Sequence, residues 1–407
     1  MKSTATEKKK IMLLGGLRYL LPVIEEAHKL GLHVITCDYL PDNIAHKYSD
    51  QYHNVSIIDK DAVLKLSQEL QIDGIMSFAV DPGVVTAAYV QEKMGLPAFG
   101  PYESVCILQD KARFRKFLKD HGFNCPWSFG FDSVQDALNS ADKFTYPAIV
   151  KPTDAAGSKG VTRIDTQEEL QAALEHAMKN SLGGHIIVEE FLEKNGCSSD
   201  TDSFLINGEF KFMSFSAQRF DQDAENPYTP AAYSWPSTLG EKNEIELQQE
   251  LQRLVSLLEM KTCLFNIECR HCTNGKNYIM EVTPRGGGNR LSELLQYATG
   301  ESLISNSVRA CVGLPLIPMS RCSYKGHWVE IILHSSQDGF FDSLFIQPEY
   351  EQYVVEIDLW IKKGDFVNAF RGANDAIGTL ILNLNSDAQV ENILSNVSSI
   401  VKIITNS

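Results

Sequence analysis

CLFNIECRHCTNGKNYIMEVTPRGGGNR, residues 263–290, is the stretch on which the fold is decided. Two mostly alternating runs flank Asn274-Gly275, the strongest short-range signal for a β-hairpin. If those two residues are the loop, Thr273 faces Lys276, Glu268 falls opposite Glu281, and Asn266 falls opposite Thr283. The spacing puts the glutamate pair on a non-hydrogen-bonded rung, where facing side chains come closest. Ile267, Cys269, Met280 and Val282 then form the apolar back of the hairpin. Two carboxylates side by side repel unless a cation joins them, and all-oxygen ligands favour Mg²⁺ or Mn²⁺. Arg285 and three glycines follow directly, adding a fixed positive charge and a backbone that a ligand can approach. From this stretch alone the alternative is a surface hairpin with two solvated glutamates.

The chain has 407 residues, enough for two or three domains with sizeable cores. With 22% charged and 43% hydrophobic residues, its composition is that of an ordinary soluble globular protein. A net charge of −15 argues against a nucleic-acid or membrane-surface partner, which would require a basic face. A local basic pocket for phosphates is compatible with it. Nine cysteines and no recognisable signal peptide lead to the expectation of reduced thiols in a cytoplasmic protein. No apolar run reaches the length of a membrane span. Cys263, Cys269, His271 and Cys272 do not suit a closed tetrahedral zinc site, because Cys272 lies on the opposite hairpin face from Cys269 and His271. Ala177-Met178-Lys179, similar to a biotin-attachment sequence, lies inside an amphipathic helix opened by the capping box Thr166/Glu169.

In chain order, IMLLGG (11–16), a helix to about Leu30 and the strand HVITCD form a βαβ opening, followed by DGIMSFAVDP (73–82) and a helix to Met94. Gly15-Gly16 without the full G-x-G-x-x-G pattern reads as a Rossmann-like domain that holds no dinucleotide. Asp38 and Asp81 sit at strand ends, as crevice residues or as helix caps. Lys111 opens the basic helix KARFRKFLKDHG. The strand FTYPAIVKP carries Lys151 at its exit, the loop TDAAGSKGV carries Lys159, and VTRID is the return strand. Such a loop can fold its amides over phosphates. It is not a P-loop, since no helix follows. HIIVEEFLE ends on Glu189 and Glu190, and residues 202–220 read as a hairpin turning at Asn207-Gly208. Asp221 to Leu239 reads as a long loop whose Tyr228, Tyr233 and Trp235 close over substrate, with core packing of Trp235 as the alternative. A helix (244–260) precedes the central hairpin and two helices follow it. Residues 325–407 read as β-rich, with strands near 327–333, 353–360 and 377–383 and a last helix near 386–396.

In order and spacing, Lys111, the IVKP strand with its glycine-rich loop, VEEFL and the Glu…Glu hairpin ending in arginine resemble the ATP-grasp superfamily. The likeness is to its carboxylate–amine ligase branch, related to carbamoyl phosphate synthetase and L-amino-acid ligases. It implies an α/β and α+β multidomain chain: a Rossmann-like pre-ATP-grasp domain (1–105), a two-subdomain ATP-grasp core (106–320, lid about 125–192) and a small β-rich C-terminal domain (321–407). Carried over by motif, Lys111 and Lys151 match the lysines on the ATP phosphates. The run of Ala155, Ala156, Gly157, Ser158, Lys159 and Gly160 matches the phosphate lid. Glu189, Glu190, Phe191 and Leu192 match the hinge that reads adenine. Glu268 and Glu281 match the Mg²⁺ carboxylates and Arg285 the arginine steadying the transferred phosphoryl group, while Arg290 is a candidate clamp for a substrate carboxylate.

Two departures stand out. Glu281-Val282-Thr283 replaces the common Glu-x-Asn, leaving Thr283 as third ligand or none. Ser198 stands where a ribose-binding glutamate is common, with Asp200 or Asp202 as substitutes. The resemblance implies ATP and Mg²⁺ (or Mn²⁺) as cofactors and small-molecule carboxylate and amine substrates, and it is compatible with a homodimer. The implied reaction is amide or peptide-like bond formation through an acylphosphate, with ADP and phosphate released. The alternatives are an ATP-dependent carboxylase acting through carboxyphosphate and a nucleotide-binding protein without turnover.

Overall fold

The computed structural model describes residues 8–155, 159–224 and 227–406. Its N-terminal sheet is parallel, in the order β3-β2-β1-β4: β1 (Lys10–Leu14), β2 (His33–Cys37), β3 (Gln51–His53) and β4 (Gly74–Ser77). Ile11, Met12, Leu13 and Leu14 are all fully buried, as a central parallel strand requires when helices cover both faces. The helices Leu21–Lys29 and Lys60–Leu70 are crossovers of this wound sheet, and Pro82–Met94 follows its last strand.

A second, antiparallel sheet runs in the order β5-β8-β6-β7, from β5 (Ser128–Phe131), β6 (Ala148–Pro152), β7 (Thr162–Ile164) and β8 (Ile186–Glu190). Helix Leu170–Asn180 covers it, so that Ala148, Val150, Leu174, Ala177 and Val188 form a small core of their own. The capping box of Thr166 and Glu169 is present and opens a 3-10 turn that leads into this helix.

The chain then makes β9 (Ser199–Ile206), β10 (Glu209–Met213), β11 (Ala217–Phe220) and β12 (Pro230–Trp235). After helix Glu241–Leu257 come β13 (Cys263–His271) and β14 (Asn277–Thr283). The antiparallel sheet β10-β9-β13-β14 forms the floor of a cleft. The sequence reading of 202–220 as one hairpin holds only to Met213, because β11 leaves for another sheet. The long loop expected over 221–239 contains β12, and its Tyr233 and Trp235 are 1% and 0% exposed, so they do not close over anything. Ala231 to Trp235 are buried without alternation, which removes the period-2 signal by which a strand is recognised.

Helices Leu291–Thr299 and Leu303–Cys311 lead to β15 (His327–Leu333), β16 (Gly339–Ile346), β17 (Val354–Leu359), β18 (Phe366–Val367), β19 (Gly378–Leu384) and β20 (Val401–Asn406). The strands near 327, 354 and 378 match expectation; β16, β18 and β20 were not read from the sequence. One sheet, β11-β12-β15-β19-β17, combines strands from both sides of the central hairpin, and β18-β16-β20 forms another.

The hairpin register at the glutamates is the expected one: Asn266 faces Thr283, Ile267 faces Val282 and Glu268 faces Glu281. The route to it differs. The loop is three residues long, closed by Cys272 N–H on Lys276 O at 3.0 Å, with Gly275 at φ +76°. A bulge between Glu268 and Cys269 then leaves Met280 without a register partner. The two one-residue departures cancel at the site. The bulge also corrects the expected apolar back: Ile279, not Met280, faces the core, and Met280 lines the cleft.

Candidate active site

Between the antiparallel sheet β5-β8-β6-β7 and the hairpin floor lies a cavity of about 280 Å³. Lys111, Lys151, Lys159, Glu189, Phe191, Glu268, Glu281 and Arg285, all singled out from the sequence, line it together. Its walls carry six cationic side chains (Lys111, Arg115, Lys151, Lys159, Arg270, Arg285) against five acidic ones (Asp81, Glu189, Asp200, Glu268, Glu281). In a chain of net charge −15 this is a local basic concentration, suited to a polyanion.

Helix Lys111–Asp120 starts at Asp110, whose carboxylate accepts from Arg113 N–H at 2.8 Å. That cap aims Lys111 and, one turn on, Arg115 into the cleft. Lys111 Nζ donates to Ala155 O at 3.0 Å and so holds the lid loop by its backbone. At the exit of β6, Lys151 is bonded to Glu189, whose second oxygen accepts from Arg115 Nε at 3.0 Å. Burial would raise the Glu189 carboxyl, but Arg115 and Lys151 overrule it and hold it at about 2. Burial lowers the Lys151 ammonium, with Glu189 opposing. The Glu189 side chain is thus committed inside the protein.

Glu281 is placed differently. Among the described residues no side chain bonds to it directly, and it lines the cavity. Burial would raise its carboxyl, yet Lys111, Arg285, Lys151 and Arg115 together hold it below the ordinary range. Across the rung, Glu268 accepts one bond, from Arg270 Nη2 at 3.2 Å. Thr283 Oγ1 is buried and among the described residues has no hydrogen-bond partner, beside Asn266 in register. Paired carboxylates with an orphaned hydroxyl next to them fit an oxygen-liganded divalent ion that completes its shell with phosphate and water. No group of three or more His, Cys, Asp or Glu forms a closed metal cage among the described residues.

Arg285 spans two parts of the chain: Nη2 and Nε lie 2.6 and 2.8 Å from Asp81 Oδ1, while Nη1 donates to Gly286 O. Asp81 therefore does not cap its helix through its side chain. The glycine run serves packing first: a Cβ on Gly286 would stand 2.4 Å from the Phe78 ring, and one on Gly287 2.6 Å from Leu291. Only Gly288 is open. Asp202, considered for ribose, is buried and taken by Gly287 N–H (2.8 Å) and Ser292 Oγ, with burial raising it to about 6. Asp200, the register partner of Glu268 on β9, lines the cavity and is lifted to about 7 by burial and by Glu268.

The remaining sequence-derived residues stand apart from the lining. Glu190 accepts from Trp127 N–H at 3.4 Å, and Leu192 packs with Cys272 and Tyr278. Gly160 adopts φ +71° at the end of the lid loop. Ala156, Gly157 and Ser158 lie outside the described residues. Arg290, at φ +63°, is held by Glu293, Glu356 and Asp358 at 3.3, 3.1 and 3.4 Å and does not line this cavity. Sequence reasoning missed Arg115, Arg270 and Gln218. Helical spacing of four from Lys111 and strand spacing of two from Glu268 would have found the two arginines. Gln218 carries no such signal.

Residues 144–293, which carry most of this cleft's lining, match the ATP-grasp domain. Among curated relatives, the carbamoyl phosphate synthase large chain of Thermotoga neapolitana is 25% identical over 325 residues, covering 76% of this chain and 29% of that protein. The chain thus spans under a third of that relative's length. The formate-dependent phosphoribosylglycinamide formyltransferase of a Synechococcus species is 27% identical over 321 residues, covering 77% of this chain and 79% of the other. Among solved structures, an L-amino acid ligase from Bacillus licheniformis superposes with a TM-score of 0.79 at 20% identity, over 99% of this chain and all of the other. That likeness concerns the fold. No helix among the described residues is long and apolar enough to cross a membrane.

Proposed function

We propose that the chain is an ATP-dependent carboxylate–amine ligase that forms an amide or peptide-like bond through an acylphosphate and releases ADP and phosphate. The observation that carries the reading is Glu281: a cavity carboxylate facing Glu268, held ionised by cations at a distance and bonded to none of them. In this reading Glu268 and Glu281, with Thr283 beside them, hold Mg²⁺ (or Mn²⁺), which supplies charge neutralisation between two anionic reactants. Lys111 and Lys151 hold the phosphate chain, and Lys159 with the lid backbone covers it. Phe191 and its strand border the base. Arg285, oriented by Asp81, faces the charge that develops on the transferred phosphoryl group. Lys151 must exchange part of its bond to Glu189 for phosphate, a short move because Arg115 stays to neutralise Glu189. The division into parts 1–105, 106–320 and 321–407 belongs to the same proposal. Its test is a screen for ADP and phosphate release over pairs of carboxylates and amines, with bicarbonate included. Release that needs both a carboxylate and an amine supports the ligase. Release on bicarbonate alone replaces it with a carboxylase, and no release on any pair overturns it.

A further inference from the structure

Behind the cavity, on β15, the Glu330 side chain is fully buried, and among the described residues neither of its oxygens has a hydrogen-bond partner. Its register partners are Tyr233 on β12 and Ile381 on β19. Strand alternation separates it from Val329 and Ile331, which pack in the C-terminal core. Its own face is that of Trp328 and Ile332, which pack with Tyr233, Ile381 and the ATP-grasp floor. Tyr233 links it to the cleft, since its hydroxyl donates to Asp200 Oδ2 at 3.2 Å and Asp200 lines the cavity.

The charged groups around Glu330 do not satisfy it. Glu293, Asp202 and Glu356 add negative charge, and Arg290 is the cation that opposes them. That arginine is already bound by Glu293, Glu356 and Asp358. On the same sheet, the buried Thr379 Oγ1 is likewise without a partner; its register neighbours are Ile332 and Asp358. A buried carboxyl with nothing to bond is costly, so a position like this points to a group that arrives from outside. Among the described residues no three carboxylates are grouped to chelate a metal. The neighbourhood therefore suits a compact, singly charged donor better than a divalent ion. Glu356 and Asp358 are partly exposed, which puts the outer rim of the cluster at the surface.

We propose that Glu330 is the recognition carboxylate for an ammonium group, so that one substrate is a primary ammonium compound whose charged end reaches Glu330 on β15. This rests on the ligase reading above and names the residue and the chemical class that it left open. The ammonium supplies the donors that Glu330 lacks, and the surplus of acidic neighbours selects a cation over a neutral or anionic analogue. Burial pushes the free carboxyl well above the usual carboxylate range, so the empty seat carries no unpaired charge.

The probes are the twenty standard L-amino acids, each matched with its deaminated carboxylic acid, added to the full chain without nucleotide while melting temperature is followed. Wild type responds to one or more amino acids and not to their deaminated counterparts. Glu330→Gln keeps the shape and removes the charge: it loses that response by tenfold or more in apparent affinity, while ATP with Mg²⁺ still binds within about twofold. A retained response in Glu330→Gln, equal responses to the deaminated acids, or no response anywhere overturns the proposal. Should the variant fail to fold, the wild-type contrast between each amino acid and its deaminated partner decides alone. ADP release is read separately. Amine-dependent binding without turnover leaves the seat standing and removes the ligase reading.

Discussion

Glu189 and Glu281 line one cavity, share the influence of Arg115 and Lys151, and answer to opposite demands. At the end of β8, Glu189 is bonded directly to Arg115 and Lys151, so its charge is used up in joining the lid strand to the helix beneath it. On β14, Glu281 is kept ionised by Lys111 and Arg285 without a bond to either, beside a second carboxylate and an orphaned hydroxyl. A saturated carboxylate is a structural joint; an ionised one left unbonded is a seat for a cation. Both carboxyls are held below the ordinary range, Glu189 buried and Glu281 half-buried. What separates them is whether a partner is already in contact.

The comparison is sharpest in exchanged phenotypes. Glu281→Gln should lower Mg²⁺-dependent turnover by about 100-fold or more, with a melting temperature close to wild type, and Glu268→Gln should be non-additive with it. An enzyme retaining activity within a few-fold removes the hairpin from the chemistry. Glu189→Gln should instead be read in denaturant unfolding. It strands two buried cations and should cost roughly 3–5 kcal/mol, in line with the breaking of a buried pair. A loss below 1 kcal/mol there erases the contrast.

Acidity separates the classes next. The folded Glu189 carboxyl lies at about 2, below its ordinary 4.5, so its stabilisation is present above pH 4.5 and is lost as pH falls towards 2. Asp200 has the opposite sign. Raised to about 7 from 3.8, its contribution is full below pH 3.8 and is lost as pH rises through 7. Asp200→Asn should therefore flatten the decline in stability between pH 4 and 7, seen by melting at a series of pH values, and an unchanged slope would count against the burial argument. The smallest effect belongs to Thr283→Val, which keeps the strand and deletes the oxygen. It should raise the apparent Mg²⁺ requirement by a few-fold with little change in melting temperature. An unaltered Mg²⁺ titration returns Thr283 to a purely structural role.

Much of the site was legible because its chemistry is written at fixed local spacings. Asn274-Gly275 announced a hairpin, and Glu268 and Glu281 then fell opposite each other even though the loop length and the bulge at Met280 were both misjudged by one residue. The errors cancelled, and only the facing of Ile279 and Met280 revealed them. β12 was illegible because Ala231 to Trp235 are buried on both faces and show no alternation. The bonds of Glu189 and Asp202, and that of Arg290 to Glu356, link residues 38 to 90 positions apart, through contacts no local pattern encodes. Glu330 gave no sign at all: within HWVEIIL it reads as an ordinary polar interruption, and only the sheet around it makes it an orphan.

The central claim, that the hairpin pair seats the metal, is tested most directly by electron paramagnetic resonance of Mn²⁺ with wild type and Glu281→Gln in the presence of ADP. The account predicts a protein-bound Mn²⁺ signal in wild type that is lost in Glu281→Gln, while ADP itself still binds through Lys111, Lys151 and the lid. The same Mn²⁺ signal and affinity in both proteins would contradict it.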